Sequence, residues 1–246
     1  MTLPELIGRT LGRYRIEEAL GAGGMGAVYR ARDQHLERDV ALKVLPAGAI
    51  ADEPSRRRFR REALTLARLS HPNIGAVLDF DVEEDVDFLV MEFVPGSTLA
   101  EKLKDSPLPE TEVIAVGIQI AEALQAAHDQ GVVHRDLKPG NVMIGPRQQV
   151  KVLDFGLAKL ERTAAEEVGS GALTGPAMLL GTLPYMAPEQ LLGKAVDPRC
   201  DLFALGGLLY EAATGRPPFV ERLSTALVNE ILTRPPIPPR APVPAL

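Results

Sequence analysis

The residue types best suited to catalysis occur in two short stretches, His134-Arg135-Asp136-Leu137-Lys138-Pro139-Gly140-Asn141 and Asp154-Phe155-Gly156. Transfer of a phosphoryl group from ATP needs a carboxylate that orients the attacking hydroxyl and accepts its proton, and hard oxygen ligands for magnesium. Asp136, Asn141 and Asp154 supply these oxygens. Lys138 would neutralise the charge that develops on the transferring group. Either stretch alone occurs by chance in loops, so the interpretation depends on what accompanies them.

A glycine-rich stretch, Gly21-Ala22-Gly23-Gly24-Met25-Gly26-Ala27-Val28, precedes both of them. The pattern is weak by itself because dinucleotide-binding turns share it. Strand-like residues follow it instead of a helix, which predicts a hairpin whose backbone N–H groups cover phosphates. Lys43 would then bind two phosphates, and Glu62 would fix the position of the lysine. The alternative is a plain glycine hairpin with an ordinary surface lysine and glutamate.

The secondary structure predicted around these residues differs between the first third of the chain and the rest. Up to about Val94, short and partly alternating apolar runs predict strands, interrupted by one helix from about Pro54 to Leu69 with five arginines near its start. Beyond Pro95-Gly96-Ser97 the apolar residues follow a helical period. The predicted elements there are a helix that stops near Gly131, short strands at 142–144 and 150–153, and a helix at about 199–214.

Two segments are predicted to form neither helix nor strand. Residues 161–184 are rich in small side chains and too long for an ordinary connection, which indicates a functional loop. Residues 235–244 are so rich in proline that they predict an extended chain.

The composition narrows the class of protein. The 246 residues are 46% hydrophobic and carry a formal net charge of -6, so neither disorder nor general polyanion binding is expected. The arginine run of the first helix is interpreted as a solvated face, and help in binding a loop phosphate is the alternative. A single cysteine, Cys200, excludes an internal disulfide and a thiolate metal cage. No secretion signal and no apolar run of about 20 residues occur, so we expect a cytoplasmic location.

Together these motifs resemble those of the eukaryotic-like (Hanks-type) serine/threonine protein kinases, most closely the bacterial ones, from Tyr14 to about Pro239. Further matches are His71-Pro72-Asn73-Ile74, Gly181-Thr182, Ala187-Pro188-Glu189, Asp201 and Gly206. The resemblance implies an α+β, bilobal kinase fold with ATP between the lobes. After a lead at 1–12, residues 13–94 would form a five-stranded antiparallel lobe with one helix, and 95–246 a mainly helical lobe that lacks its last helices.

The resemblance also implies roles for individual residues. Asp136 and Lys138, with Lys43 and Glu62, would be catalytic, and Asn141 and Asp154 would bind the metal. Structural or regulatory roles fall to Arg135, Phe155, Gly156, Thr182, Glu189 and Asp201. The residues expected to bind ATP are Leu20, Gly21, Ala22, Gly23, Gly24, Met25, Gly26, Val28, Ala41, Lys43, Met91, Glu92, Val94 and Met143.

The function implied is ATP-dependent phosphorylation of serine and threonine in proteins, with Mg²⁺ as cofactor and Mn²⁺ as the alternative ion. Lys138-Pro139 and Thr182 resemble the serine/threonine class rather than the tyrosine kinases. Arg135 resembles the arginine that binds an activation-loop phosphate, and Thr174 is the expected autophosphorylation site. The expected partners are protein substrates and ATP, without nucleic acid, and a homodimer for trans-autophosphorylation.

Two other functions compete with this one. A nucleotide-binding pseudokinase or scaffold is made plausible by the expected truncation, after which Glu189 would lack its usual arginine partner and stability would be low. A small-molecule kinase is disfavoured by Ala187-Pro188-Glu189 and by the long loop. A longer polypeptide would continue beyond Leu246, in bacterial relatives often into a membrane anchor.

Overall fold

The computed structural model describes residues 6–23, 26–46, 49–50, 52–155, 182–221 and 224–240. They form two compact units: the first holds the described residues up to Ser70 and Gly75–Val94, and the second holds His71–Ile74 and the described residues from Pro95 onward. Gly24, Met25, Gly156, Thr174 and Gly181, which the sequence analysis singled out, lie outside the described residues. Within the described part, no helix has the length and apolar character needed to cross a membrane.

The first unit is built on a six-stranded antiparallel sheet in the order β1-β2-β3-β4-β6-β5. The predicted five strands are joined by a sixth of only two residues at the edge next to β2. The strands are β1 (Thr10–Leu11), β2 (Tyr14–Gly23), β3 (Gly26–Asp33), β4 (Arg38–Val44), β5 (Val77–Glu83) and β6 (Val86–Glu92). The glycines therefore lie in the β2–β3 hairpin, as the strand-like residues after them predicted.

The sheet of the first unit has two different faces because side chains alternate along each strand. One face carries a buried apolar cluster that includes Tyr14, Tyr29, Leu42 and Phe88. Cross-strand register places Val28 beside Lys43, Lys43 beside Leu89, and Ala41 beside Met91, and these residues alternate with members of the cluster. The opposite face of the sheet thus carries Val28, Ala41, Lys43, Leu89 and Met91 together.

Helix α1 (Glu53–Leu66) packs on this unit through Phe59, Ala63 and Leu66. The ring of Phe59 lies 5.0 Å from that of Phe80 in β5. The helix begins where the Asp52 side chain accepts a hydrogen bond from the Ser55 backbone N–H, followed by a proline in the first turn.

The second unit contains five α-helices within the described residues. These are α2 (Leu99–Lys102), α3 (Glu110–His128), α4 (Pro188–Leu191), α5 (Arg199–Thr214) and α6 (Ser224–Thr233). A small sheet joins β7 (Ser97–Thr98), β8 (Val142–Ile144) and β9 (Val150–Val152). Helices α3 and α5 pack closely at Gly117, where an added Cβ would lie 3.2 Å from the Leu209 side chain.

The helix ends follow the sequence signals. Helix α3 stops at His128, and Gly131 then adopts a φ of +72°. Helix α5 is closed by Gly215 in the left-handed conformation. The C-terminal residues 235–240 form neither helix nor strand, as their prolines predicted.

Candidate active site

The loop from His134 to Asn141 in the second unit, which we call the candidate catalytic loop, brings Asp136, Lys138 and Asn141 together. Lys138 Nζ lies 2.8 Å from Asp136 Oδ2 and 2.9 Å from Thr182 Oγ1. The side-chain amide of Asn141 donates to the Asp136 backbone carbonyl at 2.8 Å and to its Oδ2 at 3.2 Å. One carboxylate oxygen of Asp136 is therefore held by an ammonium and an amide. The other oxygen can face a substrate hydroxyl.

His134 fixes the loop from inside and is fully buried. Its Nδ1 accepts a hydrogen bond from the Asp136 backbone N–H at 3.2 Å, so the ring proton resides on Nε2, which donates to the Leu153 carbonyl at 2.9 Å. Its ring also contacts Phe155, with centroids 4.7 Å apart. The imidazole thus joins the candidate catalytic loop to the residues that flank Asp154.

Asp201, at the start of α5, is the buried anchor of the same loop. Its two carboxylate oxygens accept hydrogen bonds at 2.8 Å from the backbone N–H groups of His134 and Arg135. His128 Nε2 donates to Oδ2, also at 2.8 Å. The neighbouring Cys200 is buried, and burial together with the Asp201 charge raises the pKa of its thiol to about 12. This cysteine is therefore a neutral packing residue at ordinary pH.

Arg135 adopts a left-handed backbone conformation, with a φ of +69°. Its carbonyl accepts a hydrogen bond from Gln190 Nε2 at 2.8 Å, so α4 supports the strained residue. Its Nε is buried and finds no hydrogen-bond partner among the described residues. A guanidinium nitrogen in this state favours an additional anionic partner.

The expected metal ligands fit a hard divalent cation. Asn141 uses its amide nitrogen for Asp136, which leaves its side-chain oxygen for a cation. The Leu153 N–H donates to the Asn141 carbonyl at 2.8 Å and so places Asp154, with a φ of +62°, next to that residue. The described residues contain no cluster of three or more His, Cys, Asp or Glu side chains. Such an ion would be bound by Asn141 and Asp154 together with oxygen atoms of the nucleotide phosphates.

The first unit presents the residues expected to bind the nucleotide. Lys43 is buried, with 4% of its surface exposed, and Glu62 is half-buried on α1. Ala41 is buried, whereas Leu20 and Ala22 are exposed and Val28, Met91, Glu92 and Val94 are half-buried. Met143, also half-buried, lies in β8 of the second unit.

Two glycines near the turn of this hairpin, Gly21 in β2 and Gly26 in β3, differ in their surroundings. Gly26 has a φ of +109°, and a Cβ added there would lie only 2.0 Å from the Val44 carbonyl oxygen. Gly21 has nothing within 4 Å of such a Cβ. Gly26 is required by the fold itself, whereas Gly21 leaves open space beside the backbone.

A cavity in the second unit opens beside the candidate catalytic loop. It is lined by Ala100, Leu103, Lys104, Lys138, Pro139, Gly140, Tyr185 and Glu211. The Tyr185 hydroxyl donates to the half-buried Glu211 carboxylate. Burial raises the pKa of Glu211, and the Tyr185 hydrogen bond offsets part of that rise. Burial, followed by the Glu211 contact, raises the pKa of Tyr185.

Several supporting residues escaped the sequence analysis. His128, Gln190, Tyr185 and Glu211 were not singled out. Each is a lone polar residue on a helix or turn. His128 is 73 positions from the aspartate that it contacts, so local spacing gave no signal. Glu189 is half-buried, and its carboxylate makes no hydrogen bond or ion pair with the described part of the chain.

Comparison with known families gives one match over most of the chain. The family described as "Protein kinase domain" matches residues 14–238. The serine/threonine-protein kinase pkn3 of Myxococcus xanthus is 44% identical over 242 residues, which cover 96% of this chain and 44% of that protein. PknB of Mycobacterium leprae is 41% identical over 92% of this chain and 36% of its own length. The chain thus spans less than half the length of these two relatives.

Solved structures give the same result for the fold. The kinase domain of PknI from Mycobacterium tuberculosis, in a single-site mutant, matches with a TM-score of 0.73 and 31% identity. The alignment covers all of this chain and 86% of that one. A double mutant of the same PknI domain matches with a TM-score of 0.75 and 30% identity, over the same shares of the two chains.

Proposed function

The chain belongs to the protein kinase family as a serine/threonine kinase domain, and we propose that it phosphorylates serine and threonine hydroxyls of proteins, including its own loop. Members of this family use ATP and a divalent metal. The observation that carries the proposal is the arrangement of Asp136, Lys138 and Thr182, in which one ammonium contacts both the carboxylate and the threonine hydroxyl.

This arrangement suits phosphoryl transfer. The free oxygen of Asp136 would accept the proton of the attacking hydroxyl, while Lys138 would neutralise charge on the transferring group. His134, Asn141 and Asp201 already hold the loop in place, so little reorganisation is needed when the substrate binds.

We further propose that Mg²⁺ is the metal, held by Asn141 and Asp154 and by phosphate oxygens, with Mn²⁺ as a substitute. A hard cation with these oxygen ligands would offset the phosphate charge. Lys43 would bind the phosphates, and Glu62 would hold the lysine. The glycine hairpin, Ala41, Met91, Glu92, Val94 and Met143 would bind the rest of the nucleotide.

Regulation would act through Arg135 and the loop that carries Thr174. The buried Arg135 Nε without a described partner supports binding of a phosphothreonine. We propose that two copies phosphorylate each other's Thr174 and that the domain acts in the cytoplasm. Mapping by mass spectrometry should find phosphate on Thr174 and less on Thr163. Phosphate on Thr163 or Ser170 alone would contradict this site.

Autophosphorylation with labelled ATP tests the whole proposal. We expect label on the parent with Mg²⁺ and none on the Asp136→Asn variant, whose side chain keeps its shape but cannot accept the proton. Calorimetric titration with ATP should show binding to both proteins. ATP binding without label on the parent would favour a pseudokinase. Transfer to a small alcohol but to no protein would favour a small-molecule kinase.

A further inference from the structure

Helix α1 carries one exposed face that the proposed function does not use. Arg57, Arg60, Arg61 and Leu64 follow the spacing i, i+3, i+4 and i+7, so they project from the same side of the helix. All four are exposed, and Leu64 keeps 49% of its surface accessible. We call these four residues the arginine face. Ser55, Phe59, Ala63 and Leu66 point the other way, into the first unit.

The arginine charges of this face repel one another and interact unfavourably with the helix dipole. Like charges three or four residues apart on a helix destabilise it. The N-terminal turns of a helix carry partial positive charge, which favours carboxylates and disfavours arginine. The helix holds only two acidic residues, Glu53 and Glu62, against five arginines. Isolated α1 is therefore electrostatically unfavourable in its first half.

The neighbouring Arg56 shows how the fold can neutralise an arginine charge on this helix. Arg56 Nε donates to the buried Asp87 at 2.7 Å, and Arg56 also lies 3.5 Å from Glu53. On the arginine face, Arg57 comes no nearer than 4.0 Å to Glu53. The guanidinium groups of Arg60 and Arg61 make no ion pair or hydrogen bond with any described residue. The compensation that Arg56 receives from within the fold is missing on the exposed face.

The cluster of arginines is not explained by a basic overall composition. The chain holds 27 Lys and Arg against 33 Asp and Glu, so three poorly compensated arginines on two helical turns form a local positive patch on an acidic molecule. Leu64 adds an apolar contact beside them. A surface with this chemistry fits a carboxylate-rich segment that also carries an apolar side chain.

We propose that the arginine face is a docking surface for an acidic segment of a partner protein, whose apolar side chain contacts Leu64. The face spans about 10 Å along the helix axis, at about 1.5 Å per residue, which is too short for more than a few nucleic-acid phosphates. Phosphates would also leave the exposed leucine without an apolar partner.

The probe is a fluorescein-labelled helical peptide of glutamate and alanine that carries leucine at helical spacing. Fluorescence polarisation should show binding that weakens as salt rises, because screening reduces charge attraction. We expect the variant Arg57→Gln/Arg60→Gln/Arg61→Gln to bind about tenfold more weakly. Gln keeps the helix propensity of Arg, so the helix should persist. Leu64→Gln should weaken binding about threefold and should abolish the preference for the leucine peptide over an all-alanine version.

Two controls separate a specific face from general charge. Arg15→Gln/Arg216→Gln/Arg234→Gln removes the same charge from exposed positions elsewhere and should bind like the parent. Arg57→Lys/Arg60→Lys/Arg61→Lys keeps the charge and should retain most of the affinity. No binding of the peptide to the parent would overturn the proposal. So would an equal loss in both triple Gln variants, or tighter, face-dependent binding of single-stranded DNA or anionic lipid vesicles.

Discussion

The candidate catalytic loop of the second unit and the glycine hairpin of the first unit bring their functional groups into place by different means. In the loop, a buried carboxylate at Asp201, a buried imidazole at His134 and the amide of Asn141 fix the position of Asp136. In the hairpin, strand register and the close approach of Gly26 to Val44 fix the backbone. Gly21 and Ala22, in β2 next to the turn of the hairpin, are exposed.

The difference separates preorganised chemistry from adaptable binding. Groups held by buried hydrogen bonds keep their geometry without substrate, which lowers the reorganisation needed in the transition state. The exposed residues of the hairpin lack such buried hydrogen bonds, and the phosphates proposed to bind the hairpin N–H groups would position them. Damage to the loop should therefore reduce kcat, whereas damage to the hairpin should raise the KM for ATP.

The largest effect is expected at Asp201. In Asp201→Asn, the amide group would face backbone and imidazole donors, leaving at least one buried donor without an acceptor. We expect the free energy of unfolding to fall by about 2–4 kcal/mol. The kcat should drop more than about a hundredfold, because Asp136 loses its fixed position. Denaturant unfolding and steady-state kinetics measure these quantities.

Two further variants serve as controls for Asp201→Asn. Asp197→Asn changes a solvent-accessible aspartate just before the same helix and should leave stability and kcat close to those of the parent, since its ion pair with Arg199 is exposed. His128→Ala removes one donor to Asp201 but keeps both backbone contacts, so it should fold and lose less activity. An Asp201→Asn enzyme with parental kcat would show that the loop holds its shape without the anchor.

The second effect concerns Gly26. In Gly26→Ala, the added Cβ would collide with the Val44 carbonyl, and the positive φ would be strained. We expect a loss of about 1–3 kcal/mol in stability and a rise of about tenfold in the KM for ATP. Gly21→Ala is the matched control, because open space surrounds its Cβ and its φ is ordinary. Equal effects at both positions would remove the proposed distinction between the two glycines.

A smaller effect is expected at Thr182, whose hydroxyl contacts Lys138. Thr182→Val keeps the shape but removes the oxygen, so Lys138 loses one of its two partners. The kcat should fall about tenfold with little change in the KM for ATP. Thr182→Ser should retain most of the rate. An unchanged kcat in Thr182→Val would place this contact outside the catalytic arrangement.

Much of this organisation could be predicted from sequence, because the informative residues are close together in the chain. The catalytic stretch from His134 to Asn141 carries its own spacing, and the apolar period of α3 and α5 predicted both helices. Strand β5 alternates apolar residues with Asp79 and Asp81, which is the pattern typical of a half-buried strand. Helix α6 is stabilised mainly by the contacts of Leu227 and Ile231 with Leu183 and Phe219, which come from elsewhere in the chain.

The supporting contacts could not be predicted because they are formed by tertiary packing. The Gln190 side chain meets the Arg135 carbonyl across 55 residues, and Tyr185 meets Glu211 across 26. Nothing in the local sequence distinguishes these residues from ordinary polar positions. Motifs identify the residues proposed to meet the substrate, whereas the residues that hold them in place become visible only in the folded chain.

The smallest effect is expected at Glu211, whose carboxylate, like that of Asp201, lies on α5 and is shielded from solvent. Asp201 accepts several hydrogen bonds, whereas Glu211 accepts one, from Tyr185. Burial raises the pKa of Glu211 above its value in the unfolded chain. The unfolded chain therefore loses this proton first as pH rises. The stability contributed by the neutral form is complete below the unfolded pKa and is lost as pH rises through the folded one.

Glu211→Gln removes this titration while its amide oxygen can still accept the Tyr185 hydroxyl. The variant should match the parent at acidic pH and exceed its stability by roughly 0.5–1 kcal/mol at neutral pH, a range reduced for partial exposure of the group. Glu122→Gln, which changes an exposed glutamate of α3, should show no such pH-dependent gain. Denaturant unfolding at several pH values gives the difference. A Glu211→Gln variant that is less stable at neutral pH would mean that the Glu211 charge, like that of Asp201, stabilises the fold.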